Sequence, residues 1–211
     1  MNPLRMTKVL ALAVLALLAV AAGGANGAQA GTFTAGQYPA TVVGTNVVPH
    51  TITTNIGAIE CAPVFHGVLG AASEELTLSL GYGPCTLGAK EVHVDVNGCD
   101  YLLHAGNTAG EHSVAGTMDI VCPAGKMIDF EVTSIPVCHL TVPAQTGLSA
   151  LTYTNWTGAG DVKLDFEISE LAYGLDMGCP GPGTYANGTF TGITTFVGFK
   201  EPGVQTLFKV D

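Results

Sequence analysis

Residues 91–104 read Glu-Val-His-Val-Asp-Val-Asn-Gly-Cys-Asp-Tyr-Leu-Leu-His, and this stretch indicates the fold most clearly. Asn97-Gly98 lies between two segments of alternating polarity. The pair is typical of a two-residue type I′ turn, because both residues tolerate positive φ. The pattern therefore predicts a β-hairpin in which Asp95 lies opposite Asp100.

Alternation along the two segments separates two faces of the predicted hairpin. The apolar face, expected to point into the core, consists of Val92, Val94, Val96, Cys99, Tyr101 and Leu103. The polar face consists of Glu91, His93, Asp95, Asp100, Leu102 and His104. Because Cys99 falls on the apolar face, we expect it to be buried and disulfide-bonded rather than reactive.

The rest of the chain shows the same period of two. Residues 161–169 alternate without a break, as do residues 127–133, and turn-forming residues separate such segments. No stretch of useful length beyond residue 30 has a helical period. The pattern predicts an all-β fold of roughly a dozen short strands, a single-domain antiparallel β-sandwich or irregular β-barrel.

Residues 1–30 are predicted to be a signal peptide that is removed on export. Arg5 and Lys8 precede an apolar run from Val9 to Ala22, and Ala28-Gln29-Ala30 offers a small-residue cleavage site. The run is short for a membrane span. We therefore expect residues 31–211 to form one secreted domain, extracellular or at the cell surface, with no membrane insertion.

The predicted mature chain is strongly acidic. Removing Arg5 and Lys8 from the seven basic residues leaves five lysines against 17 acidic residues, a net charge of −12. No arginine remains to make bidentate contacts with phosphate. This balance argues against nucleic acid as a partner, whereas an extracellular protein or glycan fits it better. The sequence does not define an oligomeric state.

All six cysteines lie beyond residue 30, and their even number in an exported chain predicts three disulfides. Six cysteines allow 15 connectivities. Nearest-neighbour order, which brackets one strand–turn unit per bridge, favours the pairs Cys61–Cys85, Cys99–Cys122 and Cys138–Cys179.

The chain resembles a diffuse group of secreted, six-cysteine, β-rich proteins of high-GC Gram-positive bacteria, a group without an established activity. The resemblance rests on segments that include Tyr38-Pro39-Ala40, Gly98-Cys99-Asp100-Tyr101, Cys122-Pro-Ala-Gly-Lys-Met-Ile128 and Cys138-His-Leu-Thr-Val-Pro143. These are bridges, turns and core strands. The resemblance therefore implies an exported, disulfide-bonded fold and implies no mechanism.

One candidate site follows from the hairpin register. If Asp95 faces Asp100 beside His93, a bound cation would relieve the repulsion between the carboxylates. Ca²⁺ suits such oxygen ligands. The ordinary interpretation is a solvated acidic surface with no cofactor, and the spacing is not that of an EF-hand.

Catalytic motifs are absent from the sequence. It contains no Gly-x-Ser-x-Gly, its acidic residues fall mostly in outward phases, and bonded cysteines leave no thiolate. Trp156 is expected to pack at a strand end, with a ligand platform of Trp156 and nearby tyrosines as the alternative.

These observations favour a non-catalytic exported protein that binds a partner or has a structural role. Two alternatives stay open. One is a secreted hydrolase that acts on glycans or peptides through a carboxylate pair. The other is a barrel that carries a small apolar ligand, which requires an enclosed cavity of a few hundred cubic ångströms.

Overall fold

The computed structural model describes residues 30–156 and 160–211, and within them the protein is all-β with no helix. The strands, in chain order, are β1 (Phe33–Ala35), β2 (Ala40–Thr54), β3 (Gly57–Leu69), β4 (Glu75–Leu87), β5 (Lys90–Asp95), β6 (Asp100–Gly110), β7 (Ser113–Val121), β8 (Ile128–Val132), β9 (Cys138–Val142), β10 (Gln145–Asn155), β11 (Asp161–Leu175), β12 (Gly183–Glu201), β13 (Val204–Thr206) and β14 (Phe208–Val210). The predicted leader, except for Ala30, lies outside the described residues. Nothing in the described part is a helix of the length and apolarity that crossing a membrane requires.

Five long strands form the continuous part of the main sheet, in the order β11, β12, β2, β3 and β4. Each has 13 to 19 residues, and every pairing in the sheet is antiparallel. These five strands are longer than the short strands that the sequence pattern predicts. Asn187-Gly188, a dipeptide that often forms a tight turn, lies inside the single strand β12. Bulges absorb the irregular positions, such as the register shift between Thr45 and His50, so the strands bend without ending.

The sheet closes through two branches that leave β4 at different heights. The first half of β4 pairs with β6, and the ladder continues through β7 and β10 to the first half of β11. The second half of β4 pairs with β5, and that ladder continues through β8 and β9 to the end of β11. The five long strands thus take part in two closed hydrogen-bonded circuits, one above the other.

The predicted hairpin is corrected by this topology. The turn itself is present: Asn97 and Gly98 have positive φ, and the Cys99 N–H donates to the Val96 carbonyl over 2.8 Å. Its two strands, however, do not form a ladder with each other. β5 pairs with β4 and β8, whereas β6 pairs with β4 and β7, so the turn carries the chain from one branch to the other.

The alternation in the same stretch gave the correct faces. Cys99, Tyr101 and Leu103 are buried, as is Val92, while His93 and Asp95 are exposed. Alternation reports which side of a strand meets the core, and it does so whichever strand lies alongside. The predicted pairing between the two strands was therefore wrong, although the predicted inward-facing residues were right.

One hydrophobic cluster fills the closed sheet. Its large aromatic members include Phe65, Phe166, Phe190 and Phe196, and the small β1–β14 sheet adds Phe33 and Phe208. A residual interior cavity beside Phe190 has a volume of about 10 Å³, enough for one water-sized sphere. That part of the interior has no room for a small-molecule ligand.

The three disulfides join Cys61 to Cys85, Cys99 to Cys122 and Cys138 to Cys179. These are the pairs that nearest-neighbour order favours. The first links register partners on β3 and β4. The second joins two of the three crossings between the branches, because Cys99 precedes β6 and Cys122 follows β7. The remaining crossing leads from β9 to β10. The third disulfide fixes the start of β9 to the loop after β11.

We predict that replacing the crossing bridge by Cys99→Ala/Cys122→Ala lowers the free energy of unfolding by about 3 kcal/mol, since its removal frees a loop of 23 residues in the unfolded chain. Urea denaturation of the wild type and the variant measures this difference. Non-reducing peptide mapping of the wild type should find no free thiol. Equal stability of the two proteins would show that the crossing does not depend on the bridge.

Candidate functional site

The predicted cation site is not assembled as a unit. His93 and Asp95 lie on β5, whereas Asp100 lies on β6, where it is the register partner of Ser79 and Val121. The prediction that Asp95 faces Asp100 is wrong. Its physical reason is the divergence of the two strands after the turn.

Asp95 has a different carboxylate opposite it, Asp129 of β8. The outward surface of β5, β8 and β9, here called the acidic face, also aligns His93, Glu131 and His139 across the three strands. His139 Nδ1 lies 3.1 Å from an Asp129 carboxylate oxygen. The imidazole is thus within hydrogen-bond distance of one carboxylate of the Asp95–Asp129 pair.

A metal centre has no ready set of ligands in the described residues. The one group of three potential ligands whose donor atoms converge is Cys138, Asp176 and Cys179. Both sulfurs of that group are in a disulfide, so they offer no thiolate. Asp176 Oδ1 instead accepts hydrogen bonds from the backbone N–H groups of His139 and Gly178, at 3.1 and 3.0 Å.

A second polar cluster lies on the outside of the other branch. His104 Nε2 is 3.1 Å from Asp119 Oδ2, and His104 Nδ1 is 3.4 Å from Glu75 Oε1. Asp119 Oδ1 also accepts the Gly147 N–H at 2.7 Å. The imidazole lies between carboxylates of β4 and β7, and its Nε2 forms a hydrogen bond with Asp119.

A polar groove of about 260 Å³ lies at the β6–β7 turn, lined in part by Glu111, His112, Ser113 and Asp211. These residue types are those of a nucleophile, a base and an orienting acid. Among the described residues no hydrogen bond joins Ser113 to His112 or His112 to an acid, and both residues belong to one tight turn. The groove therefore lacks the hydrogen-bonded chain that activates a serine.

The expectation that Trp156 packs at a strand end is wrong. Trp156 is 63% exposed, and its backbone N–H donates to the Asp161 carbonyl. The aromatic platform is not formed either, because Tyr153 and Tyr173 are core residues. Burial of the tyrosines follows from their inward phase in β10 and β11, while Trp156 lies just beyond the end of β10.

The feature that sequence reasoning missed is an apolar protrusion where the β8–β9 and β11–β12 loops meet. Ile135 is fully exposed, Met177 is 86% exposed and Val137 is 44% exposed. We call these three residues the apolar tip. The available signal was two large apolar residues within short loops rich in proline, glycine and serine, where polar residues are usual.

Several contacts hold the backbone of the apolar tip. Gly178 packs directly on the Val137 carbonyl, so closely that a Cβ at this position would lie 1.8 Å from its oxygen. Ser134 Oγ donates to the Pro136 carbonyl at 2.6 Å, and the Asp176 N–H donates to the His139 carbonyl at 3.1 Å. The Cys138–Cys179 bridge adds a covalent tie between the loops. The apolar side chains are therefore presented on a fixed backbone.

Comparison of the chain with protein-family models, with curated proteins and with solved structures found no match.

We predict that Asp119→Ala lowers the free energy of unfolding by about 1–3 kcal/mol, because it removes hydrogen bonds to His104 and to the Gly147 N–H. The matched variant Glu75→Ala removes the other carboxylate beside the same imidazole. Glu75 is far more exposed, so its loss should cost less than about 1 kcal/mol. Urea denaturation of both variants at one pH measures the difference. A larger loss in the Glu75 variant would contradict the structural role assigned to Asp119.

Proposed function

We propose that this protein is a non-catalytic exported binding module and that its apolar tip contacts an extracellular protein. The observation that carries the proposal is the exposure of Ile135 and Met177 on loops whose backbone is fixed by a disulfide and hydrogen bonds. Export is supported by the three disulfides, which are typical of oxidising compartments, and by the predicted signal peptide.

Rigid presentation is what makes the apolar tip suited to binding. An apolar side chain gains roughly 1.5–3 kcal/mol when it moves from water into a pocket. A flexible loop would lose much of this gain, because its backbone must be ordered on association. The backbone of the tip is already ordered, so its burial free energy contributes to affinity.

The chemistry of the partner follows from the charge of the chain. The net charge of −12 over residues 31–211 disfavours an anionic lipid surface. Next to Met177 lies the exposed carboxylate of Asp176. We therefore propose a folded protein with an apolar pocket and a neutral or basic rim.

The two alternatives gain little from the structure. The hydrolase stays a prediction, since the groove at Ser113 has no hydrogen-bonded catalytic set and the Asp95–Asp129 pair lies on an outward sheet surface. The carrier of an apolar ligand needs far more space than the interior cavity of about 10 Å³ provides.

We predict that Ile135→Asp weakens binding of the protein to the surface of the cells that export it by at least tenfold, because a charge replaces the most exposed apolar side chain of the tip. Binding of the fluorescently labelled chain, residues 31–211, to washed intact cells gives the affinity. Val68→Asp is the matched control, since Val68 is 66% exposed on the outside of β3.

The same assay distinguishes the class of partner. Treatment of the cells with protease should abolish saturable binding, whereas treatment with glycosidases should leave it unchanged. Equal binding of the Ile135 and Val68 variants would refute the role of the tip. Binding that survives protease would refute a protein partner.

A further inference from the structure

His50 is the one histidine of the described chain that is completely buried, with an exposed fraction of 0%. It lies on β2 and points into the closed sheet. Its Nε2 forms a 2.8 Å hydrogen bond with Thr194 Oγ1 of β12. Its Nδ1 has no partner in the described structure. A buried polar atom left without a hydrogen bond is costly, and such atoms are few in native proteins.

Aromatic rings surround this imidazole. The ring centroids of Phe166, Phe190 and Phe65 lie 5.0, 5.2 and 5.5 Å from that of His50. Gly192 makes room for it, since a Cβ at that position would lie 2.5 Å from His50 Cδ2. The site is therefore shaped to hold the imidazole.

No charged group faces His50 from the strands that pack against it. Its neighbours on β3, β11 and β12 include phenylalanines, Gly192, Thr194 and the disulfide-bonded Cys61, none of which is charged. The inward Tyr101 lies beyond Phe65 and Phe190, and burial raises its pKa well above the usual value, so it is neutral. The carboxylates of Glu60, Asp165 and Glu167 occupy outward positions on those strands and form no hydrogen bond to the ring.

Protonation of His50 is therefore opposed by its surroundings. An imidazolium has two N–H donors, and the site offers one hydroxyl oxygen. The aromatic faces attract a cation only weakly compared with the loss of hydration. Burial lowers the pKa of His50 from 6.5 to about 4.

The backbone at His50 is also the least regular part of β2. The register with β3 passes from Thr45 opposite Val64 directly to His50 opposite Cys61, so residues 46–49 of β2 face only two residues of β3. The register with β12 shifts twice between Thr191 and Thr194. Val47 and Val48 are exposed there, and Pro49 has no N–H to donate. We call residues 46–50 of β2 and 191–194 of β12 the seam.

We infer that His50 makes the seam an acid-sensitive opening in the closed sheet. While the imidazole is neutral, it fills the aromatic site and links β2 to β12 through Thr194. When a proton binds, the imidazolium leaves the core, and the seam separates where its ladder is already interrupted. The rest of the closed sheet, including β8 and β9, stays paired.

The direction of the pH dependence follows from linkage. The opened state, with His50 in water, binds the proton at a pKa near 6.5, whereas the closed state binds it near 4. Acidification through this window therefore favours the opened state, and stability of the seam is complete above pH 6.5. At pH 4 the closing equilibrium should be about 100-fold less favourable than at pH 7.5.

Amide hydrogen exchange in the wild-type chain and a His50→Phe variant tests this inference. Phenylalanine fills the aromatic site and cannot take up a proton. After correction for intrinsic exchange rates, wild-type protection over residues 44–54 and 188–196 should fall about 100-fold between pH 7.5 and pH 4. Protection of the same segments in the variant, and of β8 in both proteins, should not change with pH in this way.

Two results would overturn the inference. One is an equal loss of protection in the wild type and the variant, and the other is a loss in β8 as large as that in the seam. Titration of the His50 ring by NMR in the wild type gives an independent answer that does not require the variant to fold. A ring that titrates near 6.5 in the folded protein would contradict the inference, and a ring that stays neutral until about pH 4 would support it.

Discussion

Backbone hydrogen bonding is the constraint on which this structure depends. Every strand placed in a closed sheet must find partners on both sides along its length, since an unpaired peptide group in the interior is costly. β4 and β11 are too long for any one short neighbour to satisfy. The protein meets the constraint by pairing the two halves of each with different strands. The sheet is branched because the two halves of β4 and of β11 have different partners.

Branching has its own requirement, because the chain must cross from one branch to the other and back. The first crossing is the Asn97-Gly98 turn, the second is the loop after β7, and the third leads from β9 to β10. Asn97 Nδ2 donates to the Met127 carbonyl at 3.0 Å across the first two crossings, and the Cys99–Cys122 bridge joins these two covalently. A tight turn that would ordinarily close a hairpin instead separates two ladders, and the bridge holds it at the point of separation.

The sequence alone predicted those features of the fold that depend on one strand at a time. The alternation of residues 161–169 and 127–133 gave the inward sets correctly, and the all-β class followed from it. It did not predict which strands pair with each other. Asp95 was assigned to Asp100 because a two-residue turn ordinarily fixes that register, and the presence of β4 and β8 overrides this local preference. The same limit hid the apolar tip, since Met177 and Val137 are 40 residues apart in sequence.

Exposed apolar side chains and a buried imidazole both reduce stability, so both need a source of stability elsewhere. The closed ladder, the aromatic core and three bridges supply it, and Ile135 and Met177 belong to none of them. Phenylalanine in place of His50 would suit the surrounding rings better than an imidazole with an unpaired nitrogen. A polar residue in place of Ile135 would suit the solvent better. Departures from local consistency of this kind concentrate at functional positions in natural proteins, and the rigid scaffold is what allows this chain to hold two of them.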